Sequence, residues 1–370
     1  MRLNALSLEY FRNYLSARAE FHPGMNIICG DNAQGKTNLL EGISYLAGAR
    51  SHRAHYDREL IMFGIQHGFL TGELECRGRD FNVEITLNAG QRRVLKRNGV
   101  KLQSAAELGE TLNTVLFCPE DLFLIRAGAV ERRRFLDDTI AQLRPKYAEA
   151  LERYQKIWKS KSFILNHQEE RPDLLATLDD FSHQLCQAGA VITHYRAHFI
   201  KRLAGTAPAI HREFSGGREA LSLAYEPDSA ISDPLAPTKV LFEQLMEHQE
   251  CRREAELAAR KCLIGPHRDE LRVDIDGRSA RQYASQGQTR TAALSLKLAQ
   301  RDIIFDDREE YPVLLLDDVL SELDPRRQEF VLNHIQGGQV FITCCEEERL
   351  AALREGRVFR VKNGTIEEER

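Results

Sequence analysis

A glycine-rich segment near the N-terminus has the residue types and spacing of a phosphate-binding loop. Residues 30–37 read GDNAQGKT, fit G-x-x-x-x-G-K-[ST], and lie between a predicted strand and a predicted helix. The glycines let successive backbone N–H groups point at one phosphate, and the helix N-terminus adds a positive dipole end. Lys36 would reach the β- and γ-phosphates, and the Thr37 hydroxyl would bind Mg²⁺. The predicted nucleotide-binding residues are Gly30, Asp31, Asn32, Ala33, Gln34, Gly35, Lys36 and Thr37.

A second segment, residues 313–318, reads VLLLDD and predicts an apolar strand that ends in two carboxylates. In phosphate-loop ATPases a carboxylate at such a strand end holds Mg²⁺, and we assign that role to Asp317. Asp318 would orient or deprotonate the attacking water. A buried strand that meets an acidic turn is common by itself. Together with residues 30–37, however, it predicts a catalytic site containing Lys36 and Asp318.

The elements that must position these residues follow from periodicity. Alternating or continuous apolar runs predict strands, helical spacing predicts helices, and Asn-Gly or Asp-Gly pairs predict hairpin turns. Strands are predicted at 6–10, 25–29, in an antiparallel meander over 69–102, at 114–118, on either side of 276–277, at 313–317, at 339–343 and around 363–364. Helices are predicted at 37–47, 130–143, 145–167, 174–202, 238–260 and from about 286.

This pattern predicts one α/β domain interrupted by helices. The predicted segments are 1–118, with the phosphate loop, 119–262, a helical insertion, and 263–370, with the acidic strand. The chain of 370 residues is 42% hydrophobic and has a net charge of −4, so it would contact nucleic acid only through a local basic face. No apolar run is long enough to span a bilayer, and the N-terminus lacks a signal-peptide pattern.

The eight cysteines lack the spacing of a zinc site, and several lie in apolar runs, including Cys29, Cys118 and Cys344. A reduced cysteine in such a run behaves as a small hydrophobic residue. We therefore interpret the cysteines as structural thiols of a protein in a reducing cytoplasm.

Two further short motifs lie on either side of the acidic strand in the chain. Residues 285–288 read SQGQ and open a predicted helix, and residues 321–324 read SELD directly after the acidic strand. The order resembles the ABC-type ATPase head, with its phosphate loop, signature helix, acidic strand and D-loop. The resemblance implies that Ser285 of one copy would contact the γ-phosphate held by another copy, that Asp324 would be the D-loop aspartate, and that ATP would be sandwiched in a homodimer. Ser285 as a simple helix N-cap is the alternative.

Short motifs narrow the resemblance to the RecF family. The segments read FRNY at 11–14, RSHR at 50–53, PEDL at 119–122, RRRFLD at 132–137 and GPHRDEL at 265–271, in the order of that family. The short helical insertion without sustained heptads also resembles RecF more than an SMC protein. The resemblance implies a phosphate-loop fold of ABC-head type, with a mixed sheet, a β-meander and an inserted helical arm.

The same resemblance implies a function. It implies an ATP-dependent DNA-binding protein of recombinational repair, replication restart and the SOS response, with a weak DNA-stimulated ATPase. Its DNA would be single-stranded gaps and their junctions with duplex. Its partners would be RecR and RecO, and indirectly RecA, with no membrane partner.

Some positions depart from the pattern. Ala127-Gly128-Ala129 stands where the family usually has Gly-x-Pro, which could alter a turn. Transporter-type heads have a switch histidine after the last core strand, but here Thr343 is the candidate sensor of the γ-phosphate. The glutamine with which ABC heads sense Mg²⁺ is not placed.

Basic residues concentrate in the helical insertion, where they could hold DNA phosphates or form a solvated face with neighbouring acids. The three arginines at 132–134 could equally be internal partners of Asp137 and Asp138. The others are Arg144, Lys146, Arg153, Lys156, Lys159, Lys161, Arg196, Lys201 and Arg202.

Three other functions fit parts of the sequence. A transporter ATPase subunit would require the signature LSGGQ and a switch histidine. A small-molecule kinase would leave Ser285 and residues 321–324 unexplained. A clamp that binds ATP without hydrolysing it remains open, because Asp318 is a shorter base than the glutamate of many ABC heads.

Overall fold

The computed structural model describes residues 1–228, 230–345 and 356–369. They divide into two compact units, one formed by Met1–Phe123 with Ala293–Arg370 and the other by Leu124–Ala292. Residues 263–292, which the sequence assigns to the last segment, fall in the second unit. The reason is that the strand at Glu270–Ile275 pairs with the strand at Leu221–Glu226.

The strands in chain order are β1 (Arg2–Phe11), β2 (Tyr14–Glu20), β3 (Met25–Cys29), β4 (His67–Cys76), β5 (Arg79–Asn88), β6 (Val94–Arg97), β7 (Val100–Lys101), β8 (Thr114–Phe117), β9 (Leu221–Glu226), β10 (Glu270–Ile275), β11 (Arg278–Ser279), β12 (Val313–Leu316), β13 (Val340–Cys344), β14 (Gly356–Lys362) and β15 (Thr365–Glu369). The α-helices are α1 (Lys36–Gly48), α2 (Ala129–Leu143), α3 (Pro145–Asn166), α4 (Leu178–Phe214), α5 (Thr238–Ala259), α6 (Ala280–Tyr283), α7 (Gln286–Arg308) and α8 (Pro325–His334).

The first unit contains the sheet that positions the phosphate loop. Its strand order is β15-β14-β3-β13-β12-β8, and only the β14–β15 hairpin is antiparallel. All four residues of β12 are buried, as expected for a strand covered on both faces. Since β3, β12 and β13 run parallel, their carboxyl ends meet at one edge of the sheet.

A second sheet in the same unit is the predicted meander, extended by the N-terminal hairpin in the order β2-β1-β4-β5-β6-β7. Its apolar side chains share one core with α1 and the parallel sheet, including Leu8, Leu46, Val83 and Phe341. The mixed sheet and β-meander predicted from the sequence are therefore confirmed.

The second unit is largely helical, with the small sheet β11-β10-β9. Helix α4 extends to Phe214 rather than ending at Arg202 as predicted, and Pro208 lies inside it. Gly216 and Gly217, both with positive φ, follow the end of that helix. No helix in the described part of the chain is both long enough and apolar enough to cross a membrane.

Candidate nucleotide site

The loop between β3 and α1 has the backbone that residues 30–37 predict. Gly30 has φ 152°, and a Cβ there would lie 2.4 Å from the carbonyl oxygen of Val361. Gly35, at the N-cap of α1, has φ 125°, and its Cβ would lie 2.8 Å from Asn13 Nδ2. Both positions therefore require glycine.

Lys36 lies within the curve of this loop. Its side chain is almost fully buried, and Nζ donates hydrogen bonds to the carbonyl oxygens of Gly30 at 2.6 Å and Asp31 at 3.3 Å. Nζ is also 3.2 Å from Cys345 Sγ. The ammonium is thus held where the loop would present it to a phosphate.

The acidic strand brings Asp317 to the start of α1. Thr37 Oγ1 donates to Asp317 Oδ1 at 3.0 Å, and Thr343 Oγ1 donates to the same oxygen at 2.9 Å. The backbone N–H of Asp318 donates to Thr343 Oγ1 at 2.7 Å, and Asp318 has a φ of 51°. Lys36, Thr37, Asp317 and Asp318 are therefore assembled at one sheet edge, as the sequence predicts.

Asp317 has the electrostatics of a cation ligand. Burial raises the pKa of its carboxyl above the ordinary value, and the neighbouring Asp318 charge adds to this, while hydrogen bonds from Thr343 and Thr37 oppose it. A buried carboxylate beside a second acid and a hydroxyl is a set of hard oxygen donors, which suits Mg²⁺. The side chains of Thr37 and Asp317 therefore fit the metal that the sequence assigns to them.

The FRNY segment supports the phosphate loop from outside. Asn13 Nδ2 donates to the carbonyl oxygen of Gln34 at 2.8 Å, and the Tyr14 hydroxyl donates to that of Gly35 at 2.9 Å. The backbone N–H groups of Asn363 and Gly364 donate to Gln34 Oε1 at 2.7 Å and to Gln34 O at 3.1 Å. In the sequence FRNY is recognisable only as a family motif, and its contacts with the phosphate loop are evident only in the structure.

The RSHR segment is fixed through a buried carboxylate. Glu41 of α1 is fully buried and accepts two hydrogen bonds from Arg12, Nε to Oε2 and Nη2 to Oε1, both at 2.8 Å. Ser51 Oγ also donates to Glu41 Oε1 and accepts from the backbone N–H of Arg53 at 2.9 Å. Arg53 Nη1 then donates to Asn38 Oδ1 at 3.1 Å. The segment after α1 is therefore held against the helix that the phosphate loop opens.

Ser285 and Asp324 both cap helices. The backbone N–H of Gln288 donates to Ser285 Oγ at 3.2 Å, and the N–H of Ser285 donates to Gln288 Oε1 at 2.8 Å, which is the reciprocal pattern of a capping box. Ser285 is exposed and belongs to the second unit. Asp324 is the N-cap of α8 and accepts from the N–H of Arg327 at 3.2 Å. Ser285 therefore caps the helix within its own chain and is at the same time exposed to solvent.

Three of the basic residues that could have held DNA phosphates are internal. Arg132 pairs with Glu270 at 2.7 Å, and Lys161 pairs with Glu256 at 2.6 Å. Arg196 pairs with Asp137 at 2.8 Å and with Asp269 at 3.0 Å. Both acidic residues of the GPHRDEL segment, Asp269 and Glu270, therefore pair with buried arginines. Of the three arginines at 132–134, Arg132 is internal but pairs with Glu270 rather than with Asp137 or Asp138. Arg134 does lie 3.7 Å from Asp138, but both side chains are more than 40% exposed, so this pair is not internal. The exposed basic residues among the candidates are Lys146, Arg153, Lys156, Lys159 and Lys201.

The departure at residues 127–129 has little structural consequence. Ala129 is the first residue of α2, a position that proline favours but that alanine also occupies readily. Gly128 is the N-cap with φ −70°, and Ala127 accepts a hydrogen bond from Arg132 Nη1 at 2.6 Å through its carbonyl oxygen. The turn therefore forms without the glycine and the proline of the family pattern.

Comparisons with known proteins agree with this architecture. The RecF/RecN/SMC N-terminal domain family matches residues 2–367. The DNA replication and repair protein RecF of Shouchella clausii is 39% identical over 370 residues, with 99% of each chain covered. The protein of the same name from Acetivibrio thermocellus is 37% identical over 348 residues, with 94% of each chain covered.

Solved structures of RecF proteins and of an Smc head domain are similar in fold to this chain. The recombination mediator protein RecF of the RecFOR pathway, solved as RecF-ATPrS, matches with a TM-score of 0.91 and 32% identity, covering 100% of this chain and 98% of that chain. The RecF-ATP structure matches with a TM-score of 0.89 and 32% identity, covering 100% and 97%. The Smc head domain of Pyrococcus furiosus, at 16% identity and a TM-score of 0.54, covering 99% of this chain and 95% of that chain, shares the fold.

Proposed function

The chain belongs to the RecF family of DNA replication and repair proteins, and we propose that it binds DNA as an ATP-closed dimer and hydrolyses ATP slowly. The observation that supports the proposal most directly is the 3.0 Å hydrogen bond from Thr37 to Asp317, which joins the phosphate loop to the acidic strand. These two segments lie 280 residues apart in the chain, and the fold brings them together at one sheet edge.

Different groups of the site would contact different parts of ATP and its Mg²⁺. Backbone N–H groups of residues 30–37 would surround the β-phosphate, and Lys36 would bind the β- and γ-phosphates. Thr37 and Asp317 would hold Mg²⁺, which when bound neutralises phosphate charge. Asp318 would orient the attacking water, and Thr343, which contacts both aspartates, is the candidate sensor of the γ-phosphate.

A second copy of the chain would complete the site. Ser285 lies exposed at the N-terminus of α7, where the helix dipole and a hydroxyl favour an anion. In the proposed homodimer each Ser285 contacts the γ-phosphate held by the other copy, and Asp324 lies at the interface. ATP would thus stabilise closure, and hydrolysis would reopen the dimer.

Closure would align exposed lysines and arginines of the helical unit into a surface for DNA phosphates. Binding would be independent of sequence and sensitive to salt. The proposed substrate is a single-stranded gap or its junction with duplex in the cytoplasm. The proposed partners are RecR and RecO, which together with this protein would support RecA loading and the SOS response.

The test is ATP hydrolysis measured against protein concentration, with and without gapped duplex DNA. Lys36→Ala and Ser285→Arg are assayed separately and mixed. We expect the rate to rise more than linearly with protein, to increase with gapped DNA, and to recover partly in the mixture, because one composite site regains an intact Lys36 and an intact Ser285.

Other outcomes separate the alternatives. ATP-dependent dimerisation and DNA binding without turnover would indicate a non-hydrolysing clamp. A rate that is linear in protein, indifferent to DNA and retained in Ser285→Arg would contradict the dimer mechanism.

A further inference from the structure

Two cysteines lie at the carboxyl ends of the strands that flank the nucleotide site. Cys29 is the last residue of β3, and Cys344 is the last residue of β13. They are direct partners in the parallel register of these strands, and their sulfurs lie 3.1 Å apart. The two thiols therefore face each other on the same side of the sheet.

This arrangement satisfies the geometric requirement of a disulfide. Hydrogen-bonded neighbouring strands lie roughly 4.8 Å apart, and disulfides form between Cα atoms about 4.4–6.8 Å apart. The sulfur contact shows that both side chains already point toward each other. No change of register or of strand direction is needed to join them.

We propose that Cys29 and Cys344 form a redox-active dithiol, and that its oxidation by a low-molecular-weight disulfide lowers the affinity of the phosphate loop for ATP. The expected loss of ATP affinity rests on the proposed function, whereas the expected formation of the disulfide does not. One thiolate attacks the external disulfide and releases a small thiol, and the second cysteine displaces a second small thiol from the mixed disulfide. Two protein thiols and one small disulfide thus become one protein disulfide and two small thiols.

The consequence for ATP follows from the neighbours of the two cysteines. Cys29 directly precedes Gly30, whose carbonyl oxygen holds Lys36 Nζ at 2.6 Å. Cys344 directly follows Thr343, which bonds to Asp317 at 2.9 Å. Because a disulfide fixes the sulfur separation at about 2.0 Å and the Cβ–S–S–Cβ angle at roughly 90°, its formation would change the conformation of Cys29 and Cys344 and, through them, the positions of the adjoining Gly30 and Thr343.

The surroundings of the two cysteines affect how fast they react with an external disulfide. The contact with Cys29 and burial raise the pKa of the Cys344 thiol above its ordinary value. Attack by the Cys344 thiol on an external disulfide is therefore slow at neutral pH, because its thiolate is scarce. The exposed Cys345, 3.2 Å from Lys36 Nζ, is a competing target that the experiment must separate.

The experiment uses the full chain, reduced and then incubated for a long time course with oxidised glutathione. Free thiols are alkylated, disulfide-linked peptides are mapped by mass spectrometry, and binding of a fluorescent ATP analogue is titrated with Mg²⁺. Cys29→Ala and Cys344→Ala each remove the pair, Cys345→Ala keeps it, and Cys251→Ala replaces an exposed cysteine of the second unit.

We expect a peptide linked through Cys29 and Cys344 in the wild type, Cys345→Ala and Cys251→Ala. In these proteins affinity for the analogue should fall by about tenfold or more, the scale of one lost charged contact, and dithiothreitol should restore it. The single variants that lack the pair should keep their affinity after oxidation.

Absence of the linked peptide would overturn the dithiol. A loss of affinity that disappears in Cys345→Ala would also overturn it, because glutathione on the exposed thiol would then be the cause. If the reduced wild type fails to bind the analogue, the proposed function fails, while the peptide map still decides whether the dithiol forms.

Discussion

Thr343 donates a hydrogen bond to Asp317 over 2.9 Å, from the strand that lies between the phosphate-loop strand and the acidic strand. The same hydroxyl accepts from the backbone N–H of Asp318 at 2.7 Å. One buried oxygen therefore sets the position of both aspartates.

Thr343→Val keeps the shape of the side chain and removes this oxygen. Asp317 loses a donor, and the N–H of Asp318 loses its acceptor. We expect the free energy of unfolding to fall by about 1–3 kcal/mol, and Mg²⁺-dependent ATP binding to weaken by about tenfold. Thr343→Ser, which retains the hydroxyl, is the matched control. Urea unfolding and calorimetric titration measure the two effects, and wild-type binding by the valine variant would exclude an organising role.

Asp317→Asn should stabilise the nucleotide-free protein. Burial, with the Asp318 charge, raises the pKa of Asp317 in the folded protein above the ordinary 3.8. The protonated Asp317 carboxyl therefore contributes its full stabilisation of the folded protein below pH 3.8. This stabilisation is lost as the pH rises through the raised pKa of the folded state. The asparagine variant should thus melt at a higher temperature than the wild type at neutral pH, and the difference should vanish in acid.

The same substitution should abolish Mg²⁺-dependent ATP binding, because a metal ligand is lost. Melting curves without Mg²⁺ from about pH 3 to about pH 8, which spans the titration of carboxyl groups, make the comparison. A variant less stable than the wild type at neutral pH would contradict the assigned electrostatics.

Arg12→Ala should be strongly destabilising, because it leaves Glu41 fully buried without its partner. We expect a loss of about 3–5 kcal/mol at neutral pH, as for other broken buried pairs. Burial alone would raise the pKa of Glu41, but hydrogen bonds from Arg12 and Ser51 and the charge of Arg12 together lower it. The stabilisation from the ionised Glu41 paired with Arg12 is therefore present above pH 4.5. It is lost as the pH falls through the lowered pKa of Glu41 in the folded protein.

The difference between wild type and Arg12→Ala should therefore shrink in acid. Arg18→Ala is the control, since Arg18 pairs with Glu73 on an exposed surface, where solvent screens the ion pair and its removal should change the free energy of unfolding little. Guanidinium unfolding at several pH values measures both. Equal losses of stability for the two substitutions would show that burial does not make the Arg12–Glu41 pair more important than the exposed Arg18–Glu73 pair.

The sequence predicts contiguous features of the site well. Residues 30–37 and 313–318 are local patterns whose backbone follows from glycines and from an apolar strand, and the structure assembles Lys36, Thr37 and Asp317 as expected. The supporting contacts of Arg12 with Glu41 join residues 29 apart, and no local pattern encodes such a pair.

Lys161 is buried, which neither a DNA contact nor a solvated helical face describes, and one signal in the sequence favours that burial. Lys161 follows Tyr154 and Ile157 at helical spacing on the buried face of α3, so its position predicted burial even though its charge suggested a surface. Its partner Glu256 lies on a different helix and could not be identified from the sequence. Strand β2 is absent from the predicted strands although residues 15–20 of YLSARAE alternate between apolar and polar, because two of its apolar residues are alanines, which are depleted in strands.

Ser285→Asp separates the two roles of this residue. Aspartate is as good an N-cap as serine, so the contact with the N–H of Gln288 should persist and the free energy of unfolding should stay within about 0.5 kcal/mol of wild type. Ser285→Ala, by contrast, should lose about 1 kcal/mol with the cap. A carboxylate facing a γ-phosphate is repelled, so Ser285→Asp alone should abolish ATP-dependent dimerisation, measured by light scattering with ATP and Mg²⁺. If Ser285→Asp dimerises like the wild type while Ser285→Ala is merely less stable, the residue is a cap only, and the trans contact proposed for it is wrong.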